Sequence, residues 1–238
     1  MKFDIITLFP ELIEVYAKNG IIGKAIDNNF FQLNYVNLRD FSEDKHKKVD
    51  DYPYGGGPGM LLRPEPMFKA LDAIKKNNSY IIYLSPKGNL FTQRKAKELS
   101  SKEHIILIAG HYEGIDQRII DRYVDEEISM GDYVLTSGEL PVLLVVDAVC
   151  RLLPGVLGSD ESVIDESHSN NLLEYPQYTR PEIYMDMNVP EILLSGHHKK
   201  IEEWRHYKSI EITLERRPDM IKDKETIKEF NKLEKKYK

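Results

Sequence analysis

The feature that most constrains this chain is its alternation of short apolar, β-branched runs with segments of helical spacing. Residues 3–8 (FDIITL) read as a buried strand. Pro10 then starts a helix, where its missing N–H leaves no hydrogen bond unmade. Residues 31–38 predict a second strand. Residues 66–76 predict a helix with Met67, Ala70, Leu71 and Ile74 on one face. Further along, 80–84 (YIIYL) is a strand, 92–101 a helix capped by Thr92, 104–109 (HIILIA) a strand and 115–122 a helix. A short strand over 126–130 precedes a strongly apolar helix over 138–153. Strand alternating with helix predicts an α/β domain with a mostly parallel sheet. Three of these strands run into glycine-bearing loops: 85–88 (SPKG), 110–114 (GHYEG) and 129–141 (SMGDYVLTSGELP). Ligands of open α/β sheets lie beyond the carboxyl ends of the strands, so the three loops form a candidate site wall.

The character changes after Pro154. Residues 155–171 contain no Lys or Arg and several Ser, Asp and Glu, the composition of a linker. Beyond Pro190 the spacing predicts helices over 197–208, 210–217 and 220–238. The whole chain carries a net charge of −6, but residues 196–238 hold 13 basic and 9 acidic groups, a balance of +4, which leaves −10 on the rest. A basic tail behind an acidic body can carry nucleic acid, although a solvated helical face has the same composition.

Several classes are excluded. The single cysteine, Cys150, rules out a disulfide scaffold and a Cys-rich zinc module, and it suits a reducing compartment. No apolar stretch reaches the roughly 18 residues that span a bilayer. The first ten residues lack a basic n-region and a cleavage site, so no secretory signal is expected. There is no P-loop and no G-x-G-x-x-G after a strand. His197 and His198 are adjacent on a helix and do not face the same way, so no metal site is assigned. The run 54–60 (YGGGPGM) brings the backbone of Tyr54, Gly55, Gly56 and Gly57 within reach of a partner such as a phosphate, and a flexible surface loop is the plain alternative.

The segments YGGGPGM, YLSPKG, GHYEGID, GDYVLTSGELP, RLLPGVLG, LLEYPQYTRPE and LLSGHHKKIEEWR, in that order, resemble one family along essentially the whole chain. It is the bacterial tRNA (guanine-N1)-methyltransferase family, of the SPOUT class. The resemblance implies an α/β SPOUT domain over 1–158 with a deep trefoil knot, a flexible linker over 159–175, and a small all-helical, tRNA-binding domain over 176–238. It implies methyl transfer from S-adenosyl-L-methionine to N1 of guanosine 37 of tRNA, next to the anticodon. A Mg2+ requirement, a homodimer and a cytoplasmic location are implied with it, and neither a membrane nor DNA is a partner.

Carried over residue by residue, Tyr83, Leu84, Ser85, Pro86 and Gly88 match the first donor loop. Gly110, Tyr112, Glu113 and Gly114 match the second, with His111 where arginine is common, and Glu113 is also implied near the nucleotide before the target base. Ser129, Met130, Gly131, Asp132, Tyr133, Val134 and Leu135 match the third, followed by Gly138 and Pro141. Ser137 replaces a glycine, which puts the backbone dihedral there in question. Arg151 matches the arginine implied at guanine O6. Counting fifteen residues on, to the implied base, lands on Glu166, with Asp165 beside it. Ser195, Gly196, His197, Lys199 and Arg205 sit at a helix start, where N–H groups and basic side chains favour phosphate. Trp204 shares a face with Ile201 and is expected in a core. Two other readings are another SPOUT RNA methyltransferase and a catalytically silent RNA-binding relative. The GDYVLTSGELP and YTRPE segments oppose the first, and the changes at 137 and 166 are what favours the second.

Overall fold

The computed structural model describes residues 1–157 and 166–237. The chain divides into two compact units, Met1–Gly158 and Ser159–Lys238.

The first unit runs β1 (Lys2–Thr7), α1 (Pro10–Ala17), α2 (Gly20–Asp27), β2 (Gln32–Asn37), β3 (Asp50–Asp51), β4 (Leu61–Leu62), α3 (Pro64–Ile74), β5 (Ser79–Leu90), α4 (Gln93–Leu99), β6 (His104–Ile108), α5 (Gln117–Tyr123), β7 (Glu126–Ser129) and α6 (Glu139–Cys150). A five-stranded sheet has the order β2-β1-β6-β5-β7 and every pairing is parallel, with Phe3 opposite Ile105 and Ile82 opposite Leu107. Helices cover both faces, which explains why β1 and β6 read as continuous apolar runs. Phe3, Ile5, Ile105 and Leu107 pack with Ile13, Ile22, Leu99 and Val145 on one face. Ile6, Ile106 and Ile108 pack with Met67, Leu71 and Ile119 on the other. Each fully buried isoleucine contributes roughly 2 kcal/mol.

Four elements differ from the sequence reading. Residues 20–27 form α2, to which the pattern assigned nothing, because glycines at both 20 and 23 weaken a helical signal. Gly23 passes so close to Lys18 that a Cβ would lie 2.7 Å from its carbonyl carbon. The first glycine loop does not end a strand: β5 continues to Leu90, and its register against β7 shifts between Leu84 and Asn89. SPKG is therefore an excursion inside an edge pairing. In place of one long loop over 39–63 there is a short 3-10 turn (Leu38–Phe41) and the β3–β4 ladder.

The fourth difference is in the second unit, which is not all-helical. A hairpin of β8 (Ile183–Tyr184) and β9 (Met187–Asn188) turns on Met185 and Asp186, with φ of +49° and +60°. Positive φ at both central residues is the type I′ geometry of tight hairpins, built here without the usual Asn-Gly signature. After α7 (Glu191–Leu194) comes α8 (His198–Arg216), one helix where two were expected, and then α9 (Lys224–Tyr237). Buried Ser209 is accommodated within α8, where its carbonyl also accepts the Thr213 hydroxyl at 2.6 Å. Trp204 is buried, and Tyr207 stacks between Phe230 and Tyr237 at 5.7 and 5.8 Å. Residues 166–175, the described part of the expected linker, are held within this unit by Leu173 N–H to Thr213 Oγ1 and Glu174 N–H to Ser167 Oγ. Among the described residues no helix is long and apolar enough to cross a membrane.

Candidate active site

At the carboxyl ends of β6 and β7, and beside the excursion within β5, three segments close around one cavity. Tyr83, Leu84, Ser85 and Pro86 line it from β5. Gly110, His111, Tyr112, Glu113 and Gly114 line it from the loop after β6. Ser129, Met130, Tyr133, Val134, Leu135, Gly138 and Pro141 complete the wall from the segment between β7 and α6. Gly88, Gly131 and Asp132 are not in the lining. Gly88 instead abuts the Glu127–Ile128 backbone of β7, where a Cβ would collide, so its role here is close strand packing.

Tyr83 is the pillar of the second loop. Its ring is buried, and a Cβ on Gly110 would lie 3.0 Å from it. Gly114, at φ +124°, would place one 3.2 Å from the Tyr83 hydroxyl. Burial, with the nearby Glu127 carboxylate, pushes the phenol up to about 12, and the Ile115 backbone hydrogen-bonds to it. Glu127 Oε2 is itself buried with no hydrogen-bond partner among the described residues. Gly138 donates its N–H to Gly110 O at 2.8 Å, tying the third segment to the second. A Cβ at Gly138 would run into the Ala109–Gly110 backbone. Ser137 is not among the residues with positive φ, so serine is accommodated without strain.

The YGGGPGM loop lies beside this wall. Glu113 N–H bonds to Met60 O at 3.0 Å, and Leu62 N–H to Gly114 O at 2.9 Å. A Cβ on Gly59 would meet the Glu113 side chain at 2.5 Å. Gly55, Gly56 and Gly57 all have positive φ with open space around them, and Tyr54 is fully exposed.

One group at this end escaped the sequence reading. Glu139, the first residue of α6, is 1% exposed. Its carboxylate accepts from the Thr7 hydroxyl, faces His111 Nε2 at 2.8 Å through both oxygens, and is hydrogen-bonded to Ser137. Burial pushes its acidity toward the neutral form, but these hydrogen bonds outweigh it and hold the carboxyl below its ordinary value. The signal in the sequence was the acid of GELP at a helix N-terminus.

The other expected residues lie elsewhere. Arg151 is the half-buried C-cap residue of α6, its N–H on Asp147 O. Asp165 is outside the described residues. Glu166 belongs to the second unit, where it borders a cavity of about 730 Å³ together with Tyr175, Arg205 and His206. Ser195, Gly196, His197 and Lys199 are exposed around the start of α8. Arg205 is half-buried rather than displayed: its guanidinium stacks over Tyr175 at 4.8 Å and its buried Nε has no hydrogen-bond partner among the described residues.

A family model described as tRNA (Guanine-1)-methyltransferase TrmD matches residues 1–223. The chain belongs to that family. It is 54% identical over 236 residues to a tRNA (guanine-N(1)-)-methyltransferase of Ruminiclostridium cellulolyticum, covering 98% of this chain and 97% of that one. It is 52% identical over 234 residues to the enzyme of that name from Caldanaerobacter subterraneus subsp. tengcongensis, covering 98% and 97%. A third relative so named, from Clostridioides difficile, is 53% identical over 226 residues, covering 93% and 98%. Within this family the three-walled cavity is the candidate site for the methyl donor. The glycines at 110, 114 and 138 let the three segments pack closely enough to wall the cavity, since a Cβ there would meet Tyr83 or the Ala109–Gly110 backbone. Magnesium fits less well, since among the described residues no three His, Cys, Asp or Glu side chains group as metal ligands.

Proposed function

We propose that this chain, a tRNA (guanine-N1)-methyltransferase by family, uses S-adenosyl-L-methionine to methylate N1 of guanosine 37. The observation that carries the proposal is the convergence of three glycine-bearing segments on one cavity, in a chain that matches the family over residues 1–223. When bound, the donor supplies a methyl group on a sulfonium centre, open to direct displacement. Residues 83–86, 110–114 and 129–141 would hold it, and alignment with the acceptor supplies much of the rate. Guanine N1 carries a proton at neutral pH, so the reaction needs a base. We assign that role to Glu166, with Asp165 as its neighbour and alternative, and assign Arg151 to O6, where negative charge gathers as N1 loses its proton. A carboxylate is a weak base, so its effect rests on placement rather than strength.

Binding of tRNA is assigned to Tyr54–Gly57 and Glu113 in the first unit, and to Ser195, Gly196, His197, Lys199 and Arg205 in the second, in and beside its basic stretch 196–238. The sheet segment is read as knotted and the protein as a homodimer whose sites combine both chains. Exposed Leu12, Val15, Ile21, Leu140 and Leu144 on α1, α2 and α6 support an apolar interface. The fit of serine at 137 removes one of the two features that favoured a silent relative.

The test is single-turnover transfer of labelled methyl to tRNA transcripts carrying guanosine or adenosine at position 37, with Glu166→Gln and Asp165→Asn alongside. Transfer to the guanosine transcript alone is expected, slowed by roughly 10²–10⁴ in Glu166→Gln and little in Asp165→Asn. Normal rates in both variants would remove the linker carboxylates from the mechanism.

A further inference from the structure

We propose that Glu139 is a positioning residue for the methyl donor, acting by holding His111 with one ring nitrogen free toward the donor cavity. The proposal rests on the donor reading above. Glu139 joins three parts of the site: the end of β1 through Thr7, the second loop through His111, and the third through Ser137. An ionised carboxylate can only accept hydrogen bonds. His111 Nε2, 2.8 Å from both of its oxygens, must therefore carry a proton. That fixes the tautomer of the neutral ring and leaves Nδ1 as an acceptor. The ring is further confined by Phe9, whose centroid is 5.1 Å away. The side chain is only 10% exposed, and it lines the donor cavity. Among the described residues no hydrogen bond to Nδ1 is formed. Nδ1 is not one of the buried polar atoms left without a partner, so it is accessible, and an occupant of the cavity that His111 lines can donate to it. S-adenosyl-L-methionine carries suitable donors in its ribose hydroxyls and its ammonium group.

Two variants separate positioning from simple support. Glu139→Gln keeps the size but puts an N–H₂ among three groups that donate to the carboxylate, so it releases the ring. His111→Gln can still donate to Glu139 from its amide nitrogen, while its one acceptor, the amide oxygen, does not stand in the place of Nδ1. The experiment is calorimetric titration of S-adenosyl-L-methionine into full-length wild type, each variant and the double variant, with thermal unfolding of every sample. Each single variant is expected to weaken donor binding about tenfold, a loss of one hydrogen bond. The double variant should be little worse than either, because the two groups act as one unit. His111→Gln should unfold near the wild-type temperature. Donor affinity unchanged in His111→Gln would overturn the proposal and leave Glu139 a structural anchor. Additive losses in the double variant would also overturn it. A wild type that fails to bind the donor at all would overturn the donor reading itself, and the proposal with it.

Discussion

The two ends of the five-stranded sheet each bury a histidine beside a carboxylate, and they use the pair differently. At the amino ends, His104 Nε2 faces Asp4 at 2.7 Å and its Nδ1 faces the Ser79 hydroxyl at 2.8 Å. Asp4 also takes Lys2 Nζ and Asn34 Nδ2, both at 2.8 Å. Every polar atom of that pair has a protein partner. At the carboxyl ends, His111 is tied to Glu139 by one nitrogen, beside a cavity whose wall includes Gly110, Gly114 and Gly138. Glu127 Oε2, near Tyr83, is buried without a hydrogen-bond partner among the described residues. The same chemistry is closed at one end of the strands and open at the other. The open end is where an α/β sheet takes its ligand.

The largest expected effect comes from breaking the closed end. Asp4→Ala strands His104 and Lys2 around an empty site, and removal of one partner from a buried charged pair costs on the order of 3 kcal/mol of stability. Urea unfolding should show that loss, while donor affinity of the folded variant stays at the wild-type value. A donor affinity that falls in step with stability would dissolve the distinction between the ends.

Much of this architecture is legible along the chain. β6 and the helices around Leu71 and Val145 stand out because both faces of the sheet are covered. α2 was missed because its two glycines mask the period, and the β8–β9 hairpin because Met185-Asp186 is an unusual pair for its turn. Donor-loop residues were found through motif likeness, not through periodicity. That route brought in Gly88, whose glycine serves strand packing, and passed over Glu139. The partners of Glu139 are 132, 28 and 2 residues away in the chain, so no local pattern reveals the cluster.

An intermediate effect is expected at the open end. In Gly138→Ala the new methyl group presses on the Ala109–Gly110 backbone. Overpacking of this kind costs roughly 1–3 kcal/mol, and here it should move the second and third loops apart. Calorimetry should find donor binding at least several-fold weaker, with a smaller change in the unfolding midpoint. Full donor affinity in this variant would show that the spacing of the loops is not what the glycine protects.

The smallest effect is in acid. Asp4 and Glu139 are both held below their ordinary values in the folded chain. Such carboxylates contribute stability that is present above the unfolded-state value, near about 4, and is lost as pH falls through the lower folded value. Urea midpoints should therefore decline below about pH 4, with a shallower decline in Glu139→Gln. An equally steep decline in that variant would leave the acid response to Asp4 and the surface carboxylates.

The open end of the sheet in the first unit is the proposed seat of the methyl donor. That placement is tested most directly by hydrogen–deuterium exchange of the full chain with and without S-adenosyl-L-methionine. Slowed exchange is expected in peptides covering 83–88, 110–114 and 129–138, with the amino-end residues around Asp4, Ser79 and His104 unchanged. Protection confined to the second unit, around the cavity bordered by Glu166 and Arg205, would contradict it.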